Sequence, residues 1–382
     1  MAQSAHAYVR GSTVKFCEWL ESSSRCKLPE GPSVWICGDC HVGNLGPLAD
    51  AKGHVVVQIR DLDQTVIGNP AHDLIRLGLS LASAARGSDL PGVTTARILE
   101  ELVAGYQSAL LFETEKDKSH RPKSIQTLLA QSTRRRWQHL AEERLDTVKP
   151  TIPLGKRFWA LTPTERSALS QMFASDSVKP TLISLRGRAK EDDPIELLDA
   201  AYWMKGCSSL GRLRFAVLVG VGKDLSSEGA LCLMDIKEAV RSAAPCCAEA
   251  EMSHDDAMRV VEGAQHLSPA LGERMLAARF LDKAVFLREL LPQDLKLEID
   301  KLTREEAMKV ARYLAMVVGK AHARQMSPGT REKWRDELAR NHSSTLDAPS
   351  WLWSSVVELV ASHEAAYLDH CRKYAMESNV SV

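Results

Sequence analysis

The run from Ser33 to Thr65, SVWICGDCHVGNLGPLADAKGHVVVQIRDLDQT, leaves this chain less freedom than any other stretch. It reads as a short apolar strand, Val34 to Cys37, then a polar loop, Gly38 to Asn44, then a second strand, Val55 to Ile59, running into Asp61-Leu62-Asp63. Asp50-Ala51-Lys52-Gly53 between them has the chemistry of a hairpin turn, polar and ending on a residue that tolerates positive φ. The expectation is a rigid hairpin that gathers Asp39, Asn44 and Asp61 at one end. Two carboxylates and an amide oxygen in one place suit a hard cation and a phosphate.

Two other chemistries compete for the same residues. Cys37-x-x-Cys40 is half of a zinc site or a redox pair, but no second pair follows at useful spacing, and a redox pair ordinarily opens a helix. Gly38-Asp39-x-His41 resembles the first motif of two-metal phosphoesterases. That chemistry needs further carboxylate, Asn-His and His motifs, and the chain has no Gly-Asn-His and no His-x-His.

Gly38-Asp39-Cys40-His41-Val42-Gly43-Asn44 resembles the G-D-x-H-x-x-N loop of aminoglycoside-phosphotransferase-like kinases. Its Asp and Asn are spaced as in the protein-kinase catalytic loop. Asp61 stands where such kinases keep their metal-binding Asp, and Asp61-x-Asp63…Gly68-Asn69-Pro70…Asp73-Leu74 is similar to the continuation of that motif in those kinases. Tyr8-Val9-Arg10-Gly11, CGDCHVGN and IRDLDQT together resemble the bacterial family known as domain of unknown function 2252, over nearly the whole chain. The resemblance implies a kinase-like fold and an ATP- and Mg²⁺-dependent reaction. Asn44 and Asp61 would hold the metal, with Asp63 contributing or replacing Asp61. Asp39 would orient the attacking group. His41 would orient phosphate or metal, or simply hydrogen-bond within the loop.

Composition removes other classes. With 382 residues, 45% of them apolar and 26% charged, the chain is an ordinary soluble one, long enough for one large or two moderate cores. Lys plus Arg and Asp plus Glu both number 49, so charge gives no pull toward nucleic acid or an anionic membrane. Nine irregularly spaced cysteines argue for a reducing compartment. The start, MAQSAHAYVRGS, has no signal-peptide pattern, and no apolar run is long enough to span a bilayer, so a cytoplasmic location is expected.

In order along the chain, residues 4–21 read as an amphipathic helix whose Arg10 is either a solvated or salt-bridged surface residue or, by its match to the family's Arg-Gly, a brace for the loop. Asn69-Pro70 starts a helix over 70–86, with Asp73 in its first turn, either offsetting the helix dipole or, by the resemblance, accepting hydrogen bonds from the loop backbone. Residues 94–113 and 164–173 read as helices. Residues 116–123 and 134–136 read as charged and solvated. A boundary is placed near 180–193. Strands follow at 195–202, 214–221 and 231–236, with the small-residue turn Gly206-Cys207-Ser208-Ser209-Leu210-Gly211 after the first. A kinase N-lobe has such a loop over the phosphates and a strand-borne lysine against them, so Gly206, Ser208, Ser209, Gly211 and Lys237 become nucleotide-binding candidates. Glu262, on a helix over 254–266, is the carboxylate chosen to steady Lys237, with Glu249 and Glu251 as alternatives. A strand over 285–290 leads to a hinge near Arg288, where the adenine would lie. Thr303-x-x-Glu306 caps an apolar-striped helix ending near His322, a packing or hydrogen-bonding residue; a last helix covers 350–374.

In an ordinary kinase the glycine-rich loop and the lysine precede the catalytic loop; here Asp39 precedes Lys237. The fold expected is therefore α+β, a circularly permuted kinase-like pair of lobes. Residues 1–185 and 301–382 would form the catalytic lobe and 186–300 the β-rich nucleotide lobe. The expected function is phosphoryl transfer from ATP to an unidentified small-molecule or protein acceptor, with no nucleic-acid or membrane partner. AMP transfer on a similar fold, or a nucleotide-binding regulator without turnover, are the alternatives.

Overall fold

The computed structural model describes residues 4–22, 28–50, 53–87, 92–111, 121–135, 151–185, 193–204, 211–222, 230–295, 303–339 and 348–378. It is a mixed α+β protein. Outside the described residues fall Gly206, Ser208 and Ser209, Ala51 and Lys52 of the expected turn, most of the charged segments and half of the expected boundary.

The N-terminal segment is two short helices, α1 (Ala5–Gly11) and α2 (Thr13–Ser22), broken at Ser12, whose hydroxyl bonds back to the Val9 carbonyl at 3.1 Å. The expected hairpin forms with a different first strand. β2 (Leu45–Ala49) pairs antiparallel with β3 (Val55–Ile59), Leu45 opposite Ile59. β1 (Val34–Ile36) pairs instead with β4 (Val66–Gly68). Gly46 and Pro47 hide β2 from a reading of the sequence, because both residues normally weaken a strand.

α3 (Ala71–Gly87) is capped by Asn69, whose side-chain oxygen accepts from the Ala71 N–H at 2.9 Å. It is followed by α4 (Gly92–Leu110) and α5 (Lys123–Arg134). After the short strand β5 (Phe158–Trp159) come α6 (Pro163–Ala174) and α7 (Lys179–Leu185). β6 (Ile195–Trp203), β7 (Arg214–Val221) and β8 (Leu231–Glu238) form a meander, α8 (Asp256–Leu267) and the single turn α9 (Pro269–Gly272) intervene, and β9 (Met275–Phe280) and β10 (Lys283–Glu289) complete one sheet. Its order is β5-β6-β7-β8-β10-β9. The chain ends with α10 (Arg304–Ala323), α11 (Pro328–Ala339) and α12 (Ser350–Ser378).

Strand alternation gives the sheet two different faces. Cys232, Met234 and Ile236 of β8 pack with Leu169, Met172, Phe173 and Leu182 of α6 and α7. The intervening Leu233 joins a second cluster with Trp203, Leu218 and Leu290, and Asp235 and Lys237 continue that face as buried charges. The largest cluster joins the hairpin to α3, α4, α8, α10 and α12. α10 lies close along α4, where a Cβ on Gly105 would stand 2.1 Å from the Arg312 carbonyl oxygen.

Candidate functional site

The loop between β1 and β2 is held open by a backbone that only glycine suits. Gly38 has φ +73°, and a Cβ there would lie 2.2 Å from the Gln64 carbonyl oxygen. Asp73 fixes this bend from below. Its Oδ2 accepts from the Cys37 N–H at 2.8 Å and its Oδ1 from the Gly38 N–H at 2.9 Å. His322, arriving on α10, reaches the same carboxylate with Nε2 at 3.2 Å, while its Nδ1 lies 3.0 Å from the Tyr106 hydroxyl. Trp334 Nε1 donates to that hydroxyl at 3.1 Å. Every member is satisfied if the indole donates to the phenol, the phenol to Nδ1, and Nε2–H to Asp73. His322 and Asp73 are fully buried and serve the loop's shape.

Above the bend, Asp39 is partly exposed and engaged at both oxygens. Arg76 Nε donates to Oδ1 at 2.7 Å and the Thr13 hydroxyl to Oδ2 at 2.8 Å. Arg76 also donates to the Val9 carbonyl at 2.9 Å, tying α1 to the loop through α3. Asn44 gives its amide N–H to the Asp39 carbonyl at 3.0 Å, which turns its side-chain oxygen away as the acceptor end. His41 Nε2 is 4.0 Å from Asp39 Oδ2, and its buried Nδ1 has no partner among the described residues. Burial lowers the His41 pKa to about 4; Asp39 opposes this, while Arg76 and Arg10 add to it. The ring is neutral at pH 7.

Asp61 and Asp63 follow β3 and meet the large sheet. Lys237 Nζ hydrogen-bonds Asp63 and lies 3.7 Å from Asp61 Oδ1. The lysine is buried, Asp63 is 19% exposed and Asp61 44%, so Asp61 is the open member. Burial and the charge of Asp61 raise Asp63 to about 6 against the pull of Lys237. Burial works the other way on Asp61 and loses: Lys237 and Arg288 hold it well below the usual carboxylate range. Lys237 faces both acids, and Arg288 and Arg214 stand beside them on Asp235. Asp63 Oδ1 is buried and has no hydrogen-bond donor among the described residues.

The sheet straps this segment down. Arg288 Nη1 donates to the Arg60 carbonyl at 2.9 Å, Ser242 to the Gln64 carbonyl at 2.9 Å, and Arg259 of α8 to the carbonyls of Asp63 at 3.2 Å and Thr65. Of the expected contacts, Glu262 does not meet Lys237. Glu262 makes no ion pair among the described residues; Lys237 is already met by nearer acids, and Arg259 is the α8 side chain that reaches the segment. The Arg288 side chain is spent on Asp235, at 3.1 and 2.9 Å, and on Arg60, so it holds the sheet to the hairpin. Asp235 also takes Arg214 at 2.9 and 2.6 Å. Gly211 is described, with φ +74° and open space around it.

Sequence reasoning missed Arg76 and Thr13. Arg76 carried a readable sign, being a charged residue inside the apolar run LIRLGLSLASAA of α3. Thr13 carried none, since its partner lies 26 residues away. Cys37 and Cys40 are both buried, and with Asp73 they could hold a metal ion. The hydrogen bond to Cys40, then burial and neighbouring acids, raise the Cys37 thiol; the same hydrogen bond draws Cys40 down but burial and the acids raise it overall, and Asp73 is already committed to the loop.

Asp61 and Asp63 bring carboxylate oxygens together at Lys237, and the undonated Asp63 Oδ1 is the kind of hard donor a divalent cation takes. No helix among the described residues is long and apolar enough to cross a membrane. A family described as an uncharacterized protein conserved in bacteria, DUF2252, matches residues 1–373. No curated protein and no solved structure matches the chain.

Proposed function

The chain belongs to this bacterial family, and from its site we propose that it is an ATP- and Mg²⁺-dependent phosphotransferase on a permuted kinase-like fold. The observation that carries the reading is the meeting of Lys237 with Asp61 and Asp63, residues remote in sequence, beside the Asp39–Asn44 loop. Lys237 lies on the third of the five long strands and a helix follows it. A protein kinase carries its phosphate-contacting lysine in the same place. The departure is that the ammonium here rests on the acids, where a kinase would use a helix carboxylate.

Asn44, Asp61 and Asp63 would hold Mg²⁺, which would neutralise charge on the phosphates. Lys237 has only to swing its ammonium from Asp63 to contact a phosphate oxygen. Asp39 has about four lone-pair sites and spends two on Arg76 and Thr13, so about two remain, one of which can take the acceptor's O–H. The acceptor oxygen bonds to the terminal phosphorus as the bond to the bridging oxygen of ADP breaks, and the acceptor's proton leaves past Asp39 to solvent. A carboxylate fixed by a buried arginine matches a loose transition state, in which alignment of the nucleophile matters more than its deprotonation.

The test is thermal unfolding with Mg²⁺ and ATP on wild type, Lys237→Ala and Asp61→Ala. At a hundredfold excess over Kd, binding adds about 2.7 kcal/mol to wild type and is lost in both variants. A wild type whose melting temperature ignores Mg²⁺ and ATP overturns the reading. Label followed from the γ- or the α-phosphate separates phosphoryl from AMP transfer.

A further inference from the structure

Arg10 sits in the last turn of α1, where the helix crosses the catalytic loop. Its guanidinium lies against Gly43, the residue before Asn44. A Cβ at position 43 would stand 2.7 Å from Nη2 and 2.8 Å from both Cζ and Nε. The loop is bare where the arginine rests on it. Yet Arg10 is exposed and has no hydrogen bond or ion pair among the described residues, although its charge is felt by His41 together with those of Asp39, Arg76 and Asp61.

The other cations at the site are all engaged. Arg76 is bound to Asp39 and to the Val9 carbonyl, Lys237 lies on Asp63 and Asp61, and Arg288 is spent on Asp235 and Arg60. His41 is neutral. Arg10 alone among these has its whole guanidinium uncommitted and exposed, five N–H groups in a planar fork that matches an oxyanion, whereas the one unpartnered nitrogen of Arg76, Nη1, is buried. It is held next to Asn44, and a cation held there would neutralise charge on the phosphates of a nucleotide.

We infer that Arg10 binds the terminal phosphoryl group of the nucleotide, so that α1 supplies the residue that tells a nucleoside triphosphate from a diphosphate. The inference rests on the nucleotide reading above and adds a selectivity element from outside the loop and sheet. An acidic group on the acceptor offers the same oxyanion chemistry. Measuring binding without an acceptor separates the two sources.

The experiment is calorimetric titration of wild type, Arg10→Ala and Arg10→Lys with Mg²⁺ plus ADP and with Mg²⁺ plus a non-hydrolysable ATP analogue. Wild type is expected to favour the triphosphate. Arg10→Ala is expected to weaken it about tenfold or more, as loss of a charge-assisted contact does, while ADP affinity stays within about twofold. Arg10→Lys, which keeps the charge and loses the fork, falls between them. Gly43→Ala, which displaces the guanidinium without removing it, is expected to repeat the selective loss. Equal effects on both nucleotides, or none, overturn the role of Arg10 and leave the nucleotide site standing. A wild type that binds neither nucleotide removes the site and the inference together.

Discussion

Replacing Lys237 by methionine keeps most of the buried stem and removes only the charge. In wild type Asp63 titrates near 6, above the ordinary carboxylate value, because Asp61 and burial outweigh the lysine. The folded protein therefore keeps a proton that the unfolded chain releases near pH 4, and this group's contribution to stability falls as pH rises from about 4 to 6. Without the ammonium the proton must be kept longer still. At pH 5 wild type and variant both hold it, and the loss is about 1 kcal/mol, for the contact with Asp61. At pH 8 the variant holds it two units above the wild-type titration, which adds about 2.7 kcal/mol at 1.36 kcal/mol per unit. The total near 4 kcal/mol falls in the range for a buried pair stripped of one partner. Beyond that contact Asp61, being 44% exposed, adds little. Urea unfolding midpoints of both proteins at pH 5 and pH 8 measure the difference directly, and adding Asp63→Asn to the variant should remove its pH dependence. Equal losses at both pH values, or a loss under about 1 kcal/mol at pH 8, would show that the three groups do not share charge as described.

Two further outcomes concern the loop. The His41 pKa, near 4 when folded against 6.5 as its ordinary value, means that the unfolded chain binds more protons between those values. Stability from this group is thus intact at pH 7 and declines by about 3 kcal/mol toward pH 4. His41→Phe should flatten the acid limb of the stability profile by that amount, and an unchanged limb would contradict the burial of a neutral ring. Asp73→Ala strands the Cys37 and Gly38 N–H groups and should cost about 3–5 kcal/mol in urea unfolding; a cost under about 1 kcal/mol would mean that the bend does not depend on this carboxylate.

How much of the fold is legible in the sequence depends on how locally each feature is encoded. α10 and α12 declare themselves by apolar period, and α3 by Asn69 and Pro70, because helix signals lie within a few residues of one another. The partner of β1 is not legible, because pairing is a long-range choice, and Gly46 and Pro47 mask the strand that takes its place in the hairpin. At the site, Asp39, Asn44, Asp61 and Asp63 are legible as a motif. Which cation meets which acid is not. Glu262 is the carboxylate a kinase template asks for, whereas the register of β8 and the end of β3 bring Asp63 to Lys237 first. The clamp of Arg76 and Thr13 on Asp39 depends on α1 and α2 folding back over α3, and no local signal encodes that return.

The bond between Asp73 and His322 joins residues 249 positions apart. A ribosome therefore delivers every acid of the cluster, and the loop that carries Asp39, long before it delivers the histidine that completes the support beneath them. Closing so long a stretch of chain is entropically costly and slow. A nascent or truncated polypeptide lacking α10 possesses all the acidic donors without a settled scaffold to aim them, so competence should arrive late and all at once, as the last third of the molecule docks against the first.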